Sequence, residues 1–202
     1  MDTSTPYGLV AIAASAGGIP ALRVLLSTLP RNFPVPVAVV LHRSRREVDL
    51  LPTVLGRSST LPVRRVEAGQ PVEPGTVYVA PADAHLVVGP NRRFELIDGR
   101  RIRHVFSSAN PLFTSAAHVL GPVIGVVLTG MGQDGTDGVQ AVKQAGGIVI
   151  AQDEATSEWF SMPRSAIATG VVDYVLSLDR IGAKLVELLD HHAGLTPTGA
   201  TS

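Results

Sequence analysis

Residues 9–22 read LVAIAASAGGIPAL, and the change of pattern at Ser15 decides the fold. Leu9 to Ala14 is an apolar run with the length of a strand buried on both faces. After Ser15-Ala16-Gly17-Gly18, the residues Ile19, Leu22, Leu25, Leu26 and Leu29 recur at helical spacing. Pro20 suits the first turn of that helix, where its missing N–H costs nothing. A strand that hands over to a helix through a small-residue turn opens a βα unit.

The pattern returns along the chain. PVAVVL (36–41) runs into His42, and VIGVVLTG (123–130) runs into Met131-Gly132-Gln133-Asp134-Gly135-Thr136-Asp137-Gly138. Helices are expected over about 47–55, from Asn110-Pro111 to Gly121, from Thr136 to Ala145, from near Met162-Pro163, and from Leu178 to Leu189. Further strands are expected at Ile148–Ala151 and Val172–Val175. Between them, Val63–Val66, Thr76–Ala80, Leu86–Val88 and Phe94–Ile97 are short β-like runs broken by Gly69, Pro74-Gly75, Gly89-Pro90 and Asp98-Gly99. These breaks predict a β-rich excursion with a hairpin from 85 to 98.

Strand–helix alternation implies parallel strands joined by right-handed crossovers. The expected fold is therefore α/β: a three-layer α/β/α sandwich around a mostly parallel, doubly wound sheet, with a β-hairpin excursion. One domain is expected over 7–190, with flexible tails at 1–6 and 191–202.

Composition agrees and narrows the function. Hydrophobic residues make up 45% and aromatics only 4%, so the core must be built from Val, Leu, Ile and Ala, as a covered parallel sheet requires. The formal net charge is zero, which gives no global attraction to nucleic acid or to an anionic membrane. Basic stretches occur at Arg43, Arg45 and Arg46 and at Arg100, Arg101 and Arg103. They suit solvated loops, although the first lies beside His42 and could steer an acidic partner. Without cysteine, disulfides, thiolate catalysis and Cys-based zinc sites are excluded. MDTSTPYG lacks the regions of a secretory signal, and no apolar run approaches the ~18 residues that span a bilayer. A soluble cytoplasmic protein is expected, with no cofactor, no metal and no membrane insertion.

Ser15, His42 and Asp134 all fall at or just beyond strand ends, and the carboxyl edge of a parallel sheet is where ligands and catalytic groups gather. Together they are the parts of a nucleophilic hydrolase. Each has a simpler explanation too. Ser-Gly turns also serve merely to cap and turn, and a histidine after a strand is often only structural. The serine segment lacks G-x-G-x-x-G and G-x-S-x-G, and the chain has no P-loop. Five other histidines compete with His42, of which His85 in PADAH is the serious rival. Asp134 can hold the histidine through Nδ1–H, with Asp137 as the alternative, better suited to the first helical turn. A calcium loop is excluded, since D-x-[DN]-x-[DN]-G and its closing Glu are missing.

The combination AIAASAGG, VVLH and VVLTGMGQDGTDG, with YVAPADAHL, NPLFTSAA and IAQDEATSEWFSMPRSAI, resembles the catalytic domain of the chemotaxis protein-glutamate methylesterase (CheB-type) family over about residues 7–190. The resemblance implies Ser15 as nucleophile, His42 as general base and Asp134 as its orienter. It implies an oxyanion site at the backbone of Met131 and of Ala16, the residue after the nucleophile. The implied reaction is hydrolysis of glutamate γ-methyl esters on the helical cytoplasmic region of a chemoreceptor, releasing methanol, with glutamine deamidation as a companion activity. A monomer is implied.

The chain departs from the family pattern at Ala16, where Thr is frequent, at Leu41-His42-Arg43 in place of Gln-His-Met, and at Asn110 in place of Asp. Only about six residues precede the first strand, so the receiver domain of many members is expected to be absent: either control comes from a separate protein such as a response regulator, or the domain is constitutively open, or the substrate is not a classical chemoreceptor. Two other functions fit the same residues: a non-catalytic signalling or scaffold module, and a small-molecule esterase or amidase.

Overall fold

The structure is a computed structural model that describes residues 5–43, 49–98 and 107–190. In chain order its elements are β1 (Val10–Ala14), α1 (Gly18–Thr28), β2 (Val37–Leu41), α2 (Leu51–Gly56), β3 (Val63–Arg65), β4 (Val77–Val79), β5 (Ala84–Gly89), β6 (Arg93–Asp98), α3 (Ala109–Leu120), β7 (Ile124–Val127), α4 (Thr136–Gln144), β8 (Ile148–Gln152), α5 (Ser161–Ala168), β9 (Tyr174–Leu176) and α6 (Leu178–Asp190). Residues 1–4 of the expected leading tail, the whole expected tail at 191–202, and the basic residues Arg45, Arg46, Arg100, Arg101 and Arg103 lie outside the described residues.

Seven strands form one parallel sheet in the order β3-β4-β2-β1-β7-β8-β9. The chain first builds outward from β1 on one side. It then crosses to the other side of β1 for β7, β8 and β9. This is the doubly wound arrangement expected from the sequence, and its crevice falls at the carboxyl ends of β2, β1 and β7. The antiparallel hairpin β5–β6 stands apart as a second sheet. The expected excursion is smaller than the sequence suggests, because β3 and β4 belong to the main sheet. Their three-residue length and the helix-free link between them hide the parallel pairing from a pattern-based reading.

Strand alternation sorts the core into two layers. Val10, Ile12 and Ala14 of β1, with Val37, Val39 and Leu41 of β2, face α1, α2 and α6 through Leu22, Leu25, Leu55, Ile181 and Leu185. Ala11, Ala13, Ala38 and Val40 face the other way, against α3, α4, α5 and the hairpin through Leu112, Phe113, Val139, Met162 and Leu86. All five residues of β1 are buried, which is why the run is apolar without alternation. The side chains toward α3 are small, so that helix can lie close to the sheet.

Candidate active site

Register places the first two candidate residues. Ala14 pairs with Leu41 across β1 and β2, so Ser15 and His42 follow as neighbours one step beyond, on strands about 5 Å apart. The ladder continues into the loops: His42 N–H donates to Ala14 O (3.0 Å), and Ser15 N–H donates to Thr129 O (3.0 Å). The backbone thus holds Ser15 directly on the Thr129 side and through Ala14 on the His42 side. Thr129 binds the serine turn further, its hydroxyl donating to Ala16 O (3.1 Å) and accepting from Trp159 N–H (2.9 Å). Its own amide donates to the buried Gln152 Oε1 (2.8 Å).

Asp134 arrives differently, on a loop that arches from β7 over the sheet edge. Its Oδ2 lies 2.7 Å from His42 Nε2, with the two side chains 12% and 20% exposed. The ring N–H is turned off the line to that oxygen, so the contact is close but bent rather than a straight hydrogen bond. The expected contact through Nδ1 is corrected here. β7 lies two strands from β2, and the distal ring nitrogen is the one that reaches a carboxylate coming from there. Nδ1 is the ring nitrogen that Asp134 does not engage. Ser15 Oγ makes no hydrogen bond to His42 in this conformation.

The remaining lone pairs of Asp134 are taken by the start of α3. The N-cap Ser108 donates its hydroxyl to Oδ1, and Ala109 N–H donates to Oδ2 (2.6 Å). Burial alone would raise the Asp134 pKa. The His42 contact, the Ser108 hydroxyl and the Ala109 amide outweigh it, and the net effect is a lowered value. The carboxylate also sits at the positive end of the α3 dipole. In return Asn110 Oδ1 accepts from Gly138 N–H (2.8 Å) in the first turn of α4, so each helix is capped by a residue at the other's start. The family departure at Asn110 therefore keeps the acceptor and drops the charge.

The other expected participants separate clearly. Ala16 and Met131 lie on the serine and aspartate loops, and among the described residues their amide N–H groups donate no hydrogen bond. Met131 is 56% exposed and Trp159 46% exposed, with the indole N–H donating to Glu158 Oε1, so Trp159 belongs to the surface and not to the core. Asp137 sits in the first turn of α4 while Asp134 holds His42. His85 is fully buried on β5 and accepts from Ser108 N–H (3.0 Å), away from His42. Arg43 is not free to steer a partner. It donates to Leu41 O (3.3 Å) and Ala80 O (3.2 Å) and pairs with Asp49.

Ser108, Thr129 and Gln152 hold the candidate site residues or their loops, and the sequence does not announce them. Ser108 carries a signal in hindsight, since a serine directly before a helix is an N-cap, but nothing local says that its hydroxyl also binds Asp134. Among the described residues no group of His, Asp and Glu could hold a metal ion, and no helix is long and apolar enough to cross a membrane.

Comparison with known proteins points the same way as the geometry. The chain is 45% identical over 186 residues to the protein-glutamate methylesterase FrzG of Myxococcus xanthus, which covers 92% of this chain and 56% of that protein. It is 40% identical to a protein-glutamate methylesterase/protein-glutamine glutaminase of Rhizobium meliloti, over 91% of this chain and 52% of that one. The chain thus spans about half the length of these curated relatives. The fold superposes on the crystal structure of the Thermotoga maritima CheB methylesterase catalytic domain with a TM-score of 0.85 and 40% identity, covering 90% of this chain and 98% of that one. The family profile described as CheB methylesterase matches residues 10–185, carrying every strand end described above, and the chain belongs to that family.

Proposed function

We propose that residues 7–190 form a serine hydrolase that removes methyl groups from glutamate γ-methyl esters of a methyl-accepting chemoreceptor or a similar signalling protein. The observation that carries this reading is the close His42–Asp134 contact standing one register step from Ser15 at the switch point of the sheet.

Ser15 is the nucleophile and His42 the general base. With Asp134 holding Nε2–H, the Nδ1 lone pair takes the proton of Ser15 Oγ as that oxygen attacks the ester carbonyl. The negative charge moves to the carbonyl oxygen, which the amides of Ala16 and Met131 are suited to receive. Collapse breaks the C–OMe bond, and the His42 proton leaves with methoxide as methanol. A water molecule then gives its proton to His42 and hydrolyses the acyl-enzyme, restoring Ser15 and releasing a glutamate carboxylate. At a glutamine the same route releases ammonia. Ala16 offers only its backbone N–H, so any help from a neighbouring hydroxyl is absent. The partner is the methylated cytoplasmic region of the receptor, and the setting is cytoplasmic.

Methanol release from a methyl-esterified chemoreceptor fragment tests the proposal. Ser15→Ala is expected to lose on the order of 10⁴- to 10⁶-fold with unchanged thermal unfolding. Release by Ser15→Ala at the wild-type rate would remove Ser15 as nucleophile. A folded wild-type chain that is labelled by a fluorophosphonate but releases no methanol would point to a different ester as substrate. A folded chain that does neither would be a scaffold module.

A further inference from the structure

We propose that His85 is a positioning residue for Asp134, acting through Ser108, and that the β5–β6 hairpin is the buttress that holds this link. The inference rests on the reading of Ser15, His42 and Asp134 given above. It adds a residue that this reading does not use.

His85 is 0% exposed, and its Nδ1 accepts the Ser108 amide N–H at 3.0 Å. An accepting Nδ1 in a neutral ring requires the proton on Nε2. That Nε2 is buried with no hydrogen-bond partner among the described residues. A buried, unpaired N–H is unfavourable, and an apolar side chain would fill the same space without that penalty. Packing therefore does not account for a histidine at this position, whereas the bond to Ser108 does.

The neighbour on the other side is equally costly. Ser107 is a non-glycine residue at φ 58°, fully buried, with its hydroxyl unpartnered among the described residues. Strain of this kind persists only where the surroundings impose it, and it concentrates at functional sites. Here it stands directly before Ser108, whose amide turns to β5 and whose hydroxyl turns to Asp134.

A second tie sets the direction of the buttress. Val88 N–H donates to Ser115 Oγ at 2.9 Å. From His85 to Val88 the strand advances about 10 Å at 3.3 Å per residue. From Ser108 to Ser115 the helix advances about 10.5 Å at 1.5 Å per residue. The two ties are thus in step, and β5 is pinned alongside α3 at both the cap and the second turn. Since Asp134 has two of its three partners on residues 108 and 109, fixing the start of α3 fixes the carboxylate against His42.

The test measures phosphonylation of Ser15 by a fluorophosphonate in the full chain, because this rate reports the poised serine whatever the natural ester is. His85→Leu removes the acceptor, and the chemical step is expected to slow about 10- to 100-fold, with the reversible binding step and thermal unfolding unchanged. His85→Asn places an amide oxygen where Nδ1 stood and is expected to recover most of the loss. An unchanged rate in His85→Leu overturns the proposal, as does an equal loss in His85→Leu and His85→Asn. If His85→Leu does not fold, Ser108→Ala keeps the backbone bond to His85 but removes the next step of the path, the hydroxyl on Asp134, and an unchanged rate there overturns the proposal. Failure of the wild-type chain to react at all would instead overturn the nucleophile assignment on which the proposal rests.

Discussion

Two βα corners, one after β1 and one after β7, start from the same device and then diverge. Each enters its helix through a left-handed glycine at the N-cap, Gly17 at φ 74° before α1 and Gly135 at φ 92° before α4, and neither helix has a side-chain cap of its own. In the first corner only Ser15 and Ala16 separate the strand from that glycine, so Ser15 inherits its position from strand register. In the second, residues 128–134 intervene, and Asp134 must be held by groups brought from α3. A short corner takes its geometry from the sheet ladder it continues. A long one borrows it, and its precision depends on residues more than twenty positions away.

The largest expected effect tests whether the borrowed corner matters chemically. Asp134→Asn should cost about 10⁴-fold in kcat on a methyl-ester substrate, since an amide cannot stabilise the imidazolium or fix its tautomer. The same variant reports on stability. The folded pKa of Asp134 lies below its ordinary value of 3.8, so the stabilisation it brings is fully present above that value and is lost as pH falls through the lower one. Acid unfolding followed by circular dichroism should show this loss in the wild-type chain and not in Asp134→Asn.

The next effect compares the glycines. A Cβ on Gly17 would lie 2.8 Å from Glu158 Cβ and from Glu158 Oε2, whereas the space at Gly135 begins at 3.8 Å. Both alanine variants bear left-handed strain of about 1–2 kcal/mol. Gly17→Ala should therefore lose more stability than Gly135→Ala in denaturant titration, and an equal loss would show that the backbone at Glu158 shifts without cost. A smaller effect belongs to the exchange between the helices. Asn110→Ala should cost about 1 kcal/mol, and Asn110→Asp should restore most of it by accepting the same Gly138 amide.

The same contrast explains what can be read from the amino-acid sequence. Ser15 and His42 follow their strands directly, so recognising the apolar runs suffices to place both at one sheet edge. The glycine density after Leu128 marks a special loop, and Asp134 stands out within it. The partners of Asp134 are illegible because Ser108 and His85 are distant in the chain and have no periodic signature. His85 does attract notice as a rival base, but its role depends on a burial that only the hairpin's docking on α3 creates. The wrong ring nitrogen for His42 has a similar origin, since which nitrogen faces Asp134 depends on a strand order that no local pattern encodes. β3 and β4 are missed as sheet members for lack of length.

The mutual capping of α3 and α4 has a consequence for how the molecule breathes. Because Asp134 closes the start of one helix and Asn110 the start of the other, neither first turn can fray without releasing a hydrogen-bond acceptor that the other needs. Native-state amide exchange at Ala109 and Gly138 should therefore proceed through one shared opening with a common free energy, rather than through two independent ones. Transient loss of the carboxylate from His42 would then be a two-helix event and correspondingly rare.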